Sequence, residues 1–373
     1  MKSSKTILIT YAKLVPENFR SDILFAGGAQ KYIFETACNL KKDGYNLIVG
    51  SDDDNDARIV LEMRKYGIHH VKLPFSSGGF RMIESFKGLL NVLKDYKVDI
   101  LHCNDRKSAP IGKIVSDLLG IRMVYTAHNV FNNKKITRFS FGKNIIAVSE
   151  GVKKNLLEYF KIDPAKITVI YNGTSIKKPS VDTNLRILKE FDFQENDRII
   201  SFIGRLSEQK GVFYLLEALR EVIIQFPYVK LLIIGEGELR EDLKTTMLSF
   251  GLQSNVLFCG NRKDVAGLIE ISEFMISPSL WEGLGISTIE SITLGKPVIA
   301  SSVGGLPEVI TDGINGRLVP PKDSKALATA ICSFLRDPVM VKRMGEEAQK
   351  IAKEKFSSKK VNEEYSNYFK SKL

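Results

Sequence analysis

The 373-residue sequence has no run of about 18 apolar residues, so it offers no helix that could span a membrane. The opening stretch MKSSKTILITYAKLVPENF is apolar for only a few residues, and reads as a first β-strand and not as a signal peptide. Cysteine is scarce: Cys38, Cys103, Cys259 and Cys332 are scattered, with no C-x-x-C spacing. That argues against a disulfide framework and a thiolate metal site, and reads as buried reduced thiols of a protein in the cell interior. Histidine is equally scarce, at four residues, and His69-His70 reads as a short pair on a strand edge with no metal-ligand spacing around it. No short repeat, low-complexity segment or nucleic-acid-binding motif is visible. Acidic charge is in short supply in one half only. Residues 1–175 carry 27 Lys and Arg against 17 Asp and Glu, which leaves 27 against 26 for the remainder of a chain of net charge +11. A basic first half without a nucleic-acid motif fits an anionic membrane surface or an acidic, diphosphate-bearing substrate. It is also what a merely soluble basic surface would show.

The length exceeds one ordinary core, so two domains are expected. In the first half, apolar β-rich runs at Thr6–Tyr11, Asn46–Gly50, Val71–Leu73, Asp99–His102, Met123–Ala127, Ile145–Val148 and Ile167–Tyr171 alternate with helical stretches. The helical stretches are Ala29–Lys42, Ile83–Lys94, Ala109–Leu119 and Val152–Tyr159. Such alternation predicts a parallel sheet covered on both faces. The turn-rich NGTSIKKP at Asn172–Pro179 is a junction. A second series follows at Ile199–Ile203, Leu231–Ile234, Val256–Phe258, Phe274–Ile276, Val298–Ala300 and Arg317–Val319, again with helices between. The polar tail from about Asp337 to Leu373 reads as helical.

Chemistry concentrates in the second series. SPSLWEGLGISTIE at Ser277–Glu290 holds Glu282 and Glu290 with seven residues between them, and a Gly283-Leu284-Gly285 turn leading into a helix. A strand that turns over glycines into a helix leaves N–H groups near Leu284–Ile286 unpaired and able to hold an anion. The two carboxylates could accept hydrogen bonds from hydroxyls, a combination that suits a sugar nucleotide. A buried loop with one capping glutamate would look much the same. RIISFIGRLSEQKG at Arg198–Gly211 places Gly204, Arg205 and Lys210 just past a strand, where two cations can hold a diphosphate. Solvated loop charges are the plainer reading of them. GEGEL at Gly235–Leu239 and CGNR at Cys259–Arg262 repeat the design after the next two strands. Asp52-Asp53-Asp54 reads as a solvent-exposed polar loop. In the first half, Gly27-Gly28 opens a helix and His128 follows a strand in VYTAHNVF; each is commoner as a structural feature than as a site. Ser149 reads as a helix N-cap, and Asn172-Gly173 as hinge geometry.

GRLSEQKG, IIGEGEL, PSLWEGLGISTIES and GKPVIASSVGGLPEVITDGINGRLVPPKD, in that order, resemble the C-terminal half of retaining glycosyltransferase family 4. The resemblance covers nearly the whole chain and is strongest from Arg198 to Asp323. It implies the GT-B fold: α/β, two doubly wound Rossmann-like domains facing a cleft, with a C-terminal helix crossing back to the first. The implied divisions are an acceptor domain at 1–175, a nucleotide-sugar domain at 176–355 and a tail helix at 356–373. The implied catalytic residues are His128, Arg205, Lys210 and Glu282. The implied donor contacts are Gly28, Gly204, Gly235, Glu236, Asn261, Leu284, Gly285, Ile286 and Glu290, with Glu290 on the ribose hydroxyls and the base held largely by backbone near Gly260-Asn261. No metal is expected, because the two cations and the helix start take the leaving-group charge. The implied activity is metal-independent transfer from a UDP- or GDP-linked sugar to a glycan or lipid-linked acceptor, for capsule, exopolysaccharide or lipopolysaccharide. The expected place is the cytoplasm, peripheral to the inner face of the membrane. The family more often has an acidic residue where Thr174-Ser175 follow Gly173, so no role carries to that site. The alternatives are a nucleotide-sugar enzyme of the same fold, such as an epimerase, or a non-catalytic sugar-binding protein.

Overall fold

The computed structural model describes residues 4–12, 28–54, 57–75, 80–131 and 139–373. They form two compact units: Met1–Asn172 with Lys359–Leu373, and Gly173–Ser358. The chain leaves the first unit in the Asn172-Gly173 junction.

Unit 1 is built on seven strands: β1 (Thr6–Thr10), β2 (Asn46–Ser51), β3 (His69–Lys72), β4 (Ile100–Cys103), β5 (Arg122–Ala127), β6 (Asn144–Ala147) and β7 (Ile167–Val169). All pair in parallel in the order β3-β2-β1-β4-β5-β6-β7. The chain steps outward from β1 to β3, then returns to the other side of β1. The reversal lies between β1 and β4. Because helices cover both faces, the central strands are apolar throughout, and Ile7, Leu8, Ile9, Ile100 and Leu101 are fully buried. The last helix, Ser358–Ser371, belongs to this unit. Its Val361, Tyr365, Tyr368 and Phe369 join a core with Ile7, Ile9, Tyr32, Ile33, Ala37 and Ile170.

Unit 2 has six parallel strands: β8 (Arg198–Ile203), β9 (Val229–Ile234), β10 (Val256–Gly260), β11 (Met275–Ser277), β12 (Val298–Ser301) and β13 (Gly316–Val319). Their order is β10-β9-β8-β11-β12-β13, the two-halved dinucleotide-fold order, with its reversal between β8 and β11. Its main core joins Ile200, Phe202, Leu215, Leu219, Leu231, Ile233, Phe274, Ile276 and Phe334.

Three details differ from the sequence reading. A short helix, Arg58–Lys65, stands between β2 and β3 and buries Ile59, Val60 and Met63. The tail is two helices, Pro338–Lys355 in unit 2 and Ser358–Ser371 in unit 1, the former capped by Asp337 on the Met340 N–H at 2.8 Å. Asp53 is buried, not solvated, while its neighbour Asp54 pairs with Lys72 at 2.5 Å. The cysteines are free; Cys38, Cys103 and Cys332 are buried and Cys259 partly so. The charge split is sharper along the true unit boundary. Unit 1 carries 31 Lys and Arg against 19 Asp and Glu, or +12, leaving 23 against 24, or −1, for unit 2.

Candidate active site

In a parallel sheet every strand ends on the same edge, so neighbouring strands bring their outgoing loops together. At the reversal of unit 2 those loops are 204–211, after β8, and 278–285, after β11. The Leu280 N–H donates to the Gln209 carbonyl at 2.7 Å, and Gln209 Nε2 donates to the Trp281 carbonyl at 3.0 Å. This latch brings Lys210 Nζ within 2.5 Å of Glu282 Oε2. Ser279 Oγ also donates to Oε2, at 3.3 Å, and the Gly283 N–H to Oε1, at 3.2 Å. The side chains of Lys210 and Glu282 are only 19% and 10% exposed, so their charges are weakly screened. The result is a held carboxylate and a held ammonium at the carboxyl edge of the sheet, where open α/β sheets bind ligands.

The same edge gathers most of the expected donor residues. Gly285 caps the helix Ile286–Thr293 in the left-handed conformation, and Leu284 before it is buried. The first N–H groups of that helix have no intrahelical acceptor. Glu290 lies one turn along, on the side of Ile286, partly buried. After β9, Gly235 has φ +132°, and a Cβ there would sit 2.1 Å from the Gly204 carbonyl oxygen. Backbone thus packs on backbone where β8 and β9 end. The Gly235 N–H donates to the Gly260 carbonyl at 2.8 Å, placing Asn261 beside this turn. Glu236 pairs with Arg240.

Two expected cations behave differently from Lys210. Arg205 is 72% exposed and binds Glu238 at 3.1 Å. Arg262, read as a third repeat of the cation-after-strand design, is held by Glu190 and Asp264 and lies over the Phe191 ring. It braces the helix Val181–Glu190 and does not stand free for a ligand.

In unit 1, His128 follows β5. Its Nε2 is 3.2 Å from Asn104 Oδ1. Asn104 Nδ2 donates to the His102 carbonyl at 3.3 Å, and a carbonyl only accepts, so Oδ1 must face the histidine. His128 therefore carries its proton on Nε2 and keeps Nδ1 as an acceptor. Burial lowers its pKa to about 4, so the ring is neutral near pH 7. Neighbouring His102 is lowered further, to about 3, by burial and then by His128, and its Nε2 meets Thr126 Oγ1 at 2.7 Å. At the β1/β4 reversal Asp105 accepts from the N–H groups of Ala12 (2.9 Å), Lys107 (2.7 Å) and Ser108 (3.0 Å) and from Ser108 Oγ (2.7 Å). Burial raises its pKa against these bonds. Sequence reasoning missed Asn104 and Asp105. The only available signal was their place just after a strand. Gly28 opens the helix Gly28–Lys42, whereas Gly27, the loop 16–25 and the basic stretch 132–138 lie outside the described residues. Ser149 caps its helix as expected, accepting from the Val152 N–H at 3.0 Å. Among the described residues no three His, Cys, Asp or Glu side chains group so as to hold a metal ion.

The chain matches two family models, Glycosyltransferase Family 4 over residues 26–178 and Glycosyl transferases group 1 over 184–351. An uncharacterized glycosyltransferase of Methanocaldococcus jannaschii is 28% identical over 82% of this chain and 84% of its own. The UDP-Gal:alpha-D-GlcNAc-diphosphoundecaprenol alpha-1,3-galactosyltransferase of Escherichia coli is 27% identical over 69% of this chain and 72% of its own. Among solved structures, a glycosyltransferase from Rickettsia africae superposes with a TM-score of 0.84 at 26% identity, covering 100% of this chain and 99% of its own. Anabaena HepE, solved with UDP and glucose, gives 0.85 at 22% identity, covering 98% and 100%. Two family models in succession along one chain, on two dinucleotide-type sheets, place this protein in glycosyltransferase family 4, with the GT-B fold.

Proposed function

We propose that this glycosyltransferase moves a hexose, with retention, from a UDP- or GDP-linked donor to a glycan or lipid-linked acceptor in cell-surface polysaccharide synthesis. The observation that carries the reading is the Lys210–Glu282 pair, held at the reversal of unit 2 beside a helix start. As the bond from C1 to the diphosphate breaks, the sugar becomes oxocarbenium-like and the diphosphate gains charge. Lys210, Arg205 and the N–H groups at Leu284–Ile286 would take up that charge without a metal. Glu282 would accept from a sugar hydroxyl and Glu290 from the ribose. His128, with Nδ1 as acceptor, would take a hydroxyl of the transferring sugar. The acceptor oxygen then bonds to C1 on the face the diphosphate leaves, and its proton passes to a diphosphate oxygen. The names of two similar proteins favour a UDP-sugar and a diphosphate-linked lipid: one is a UDP-galactose transferase acting on a diphosphoundecaprenol, the other was solved with UDP and glucose.

The lipid acceptor would be met at an anionic membrane through unit 1. Its charge of +12 supports that contact. So do the exposed Ile114, Leu118 and Phe139, with Lys113 over the Phe139 ring. Among the described residues no helix is long and apolar enough to cross a membrane. A panel of UDP- and GDP-sugars, followed by NMR for hydrolysis and for the anomer formed on transfer, tests the reading. A β-linked product from an α-linked donor would overturn retention. Full loss of activity in EDTA, restored by Mg²⁺ or Mn²⁺, would overturn the metal-free mechanism. Donor epimerisation without transfer would favour the epimerase.

A further inference from the structure

One hydrogen bond does not fix a histidine ring, because rotation about its last side-chain torsion is broad. His128 has its Nε2 bond to Asn104 on one edge, and something else must set the tilt of the ring. Tyr32, on the helix Gly28–Lys42, supplies it: the two rings meet edge to face, centroids 4.8 Å apart at 70°. Tyr32 is buried, and on its other side lies Tyr365 of the helix Ser358–Ser371, ring centroids 5.5 Å apart at 58°. The same helix puts Phe369 edge-on against His102 at 5.2 Å. His102 in turn bonds to Thr126, and its carbonyl orients Asn104. Both supports of His128, the Tyr32 ring and the Asn104 amide, thus rest on one face of this last helix. The Tyr32 hydroxyl faces those of Tyr365, Thr126 and Thr36, yet neither it nor the Tyr365 hydroxyl makes a well-formed hydrogen bond. The Tyr32 and Tyr365 rings are themselves in contact, so the stack does not depend on the hydroxyls alone.

We propose that Tyr365 is a positioning residue for His128, acting through the ring of Tyr32. The proposal rests on the reading that His128 meets the transferring sugar. It gives Tyr365 a part in setting the His128 ring without touching substrate; the rest of the helix Ser358–Ser371 serves the core.

The test uses the full chain with histidine labelled in the ring. With only four histidines, NMR resolves His69, His70, His102 and His128 separately. Removing the ring in Tyr365→Ala should move the His128 ring signals and cut kcat by about ten- to a hundredfold, the scale of a small misplacement. The donor KM should stay within about twofold, since the donor contacts other than Gly28 and His128 lie in the other unit. Tyr365→Phe, which keeps the ring, should restore both the spectrum and kcat. Val361→Ala trims the same buried helix face one turn earlier and controls for simple loss of stability. It should leave kcat and the His128 signals near wild type. Unchanged His128 signals in Tyr365→Ala would overturn the proposal, as would a kcat loss that Val361→Ala reproduces. Full activity in His128→Ala would instead sink the reading on which it rests. The Tyr365→Ala spectra, which need no turnover, separate that failure from this one.

Discussion

Lys210 and Glu282 are 72 positions apart, and no spacing rule in the chain pairs them. Their contact follows from β8 and β11 being neighbours, which is a property of strand order. Each residue could be marked beforehand as a candidate, but not the bond between them. The same holds for Tyr32 and Asn104, which look like ordinary core and loop residues until β4, β5 and two helices converge. The pair separates two cations given the same role. Lys210→Ala leaves a nearly buried carboxylate without its ammonium, so unit 2 should lose about 1–3 kcal/mol along with most of the activity. Arg205→Ala removes an exposed ion pair worth about 0–1 kcal/mol, so stability should hold while transfer falls. Thermal unfolding beside initial rates checks both; Arg205→Ala at wild-type rate would remove that residue from the mechanism. Glu290→Ala should cost about 1.5–3 kcal/mol of donor interaction, roughly a 10- to 150-fold loss. Titration of the nucleotide sugar by calorimetry measures it, and an unchanged Kd would take Glu290 off the ribose. Gly304 guards the site from behind. It has φ +54°, and a Cβ there would fall 1.8 Å from the Glu282 carbonyl oxygen. Gly304→Ala should therefore displace Glu282 and lower kcat, although the substitution is remote in sequence.

At the scale of elements the chain was highly legible. The strands of both sheets fall where apolar, β-branched runs occur, because sheets covered on both faces need continuous apolar strands. Edges moved by a residue or two; β3 begins at His69 rather than Val71. The unforeseen helix, RIVLEMRK, has eight residues, half of them charged, so three buried side chains make too short a pattern to show a period. Two histidines near the ends of β4 and β5 give unit 1 a pH dependence. Their folded pKa values, about 3 for His102 and about 4 for His128, lie below the ordinary 6.5. Below about pH 6.5 the unfolded chain takes up protons that the folded unit refuses, so stability falls as pH falls. Each group contributes a slope of up to about 1.4 kcal/mol per pH unit, His128 until about pH 4 and His102 until about pH 3. Urea unfolding followed from pH 7 to pH 4.5 should show the loss, and His102→Gln should flatten it. An equal slope in that variant would mean that other groups govern acid sensitivity.

At the scale of the whole molecule, charge and connectivity divide the work unevenly. A +12 unit beside a −1 unit predicts binding to anionic vesicles at low salt and release at 1 M, where the Debye length is about 3 Å. Each Lys or Arg near such a surface contributes about 1 kcal/mol, so a few suffice. Co-sedimentation with neutral and anionic liposomes decides it, and equal binding to both would leave the charge as plain surface. Connectivity has a different outcome. Unit 2 is one continuous stretch, but unit 1 closes its core with residues 359–373. On the ribosome those residues emerge only after all of unit 2 has been made. Unit 1, although begun first, waits with Tyr32 and its neighbours uncovered until synthesis has passed the second unit, so the later-made half is the first able to finish folding.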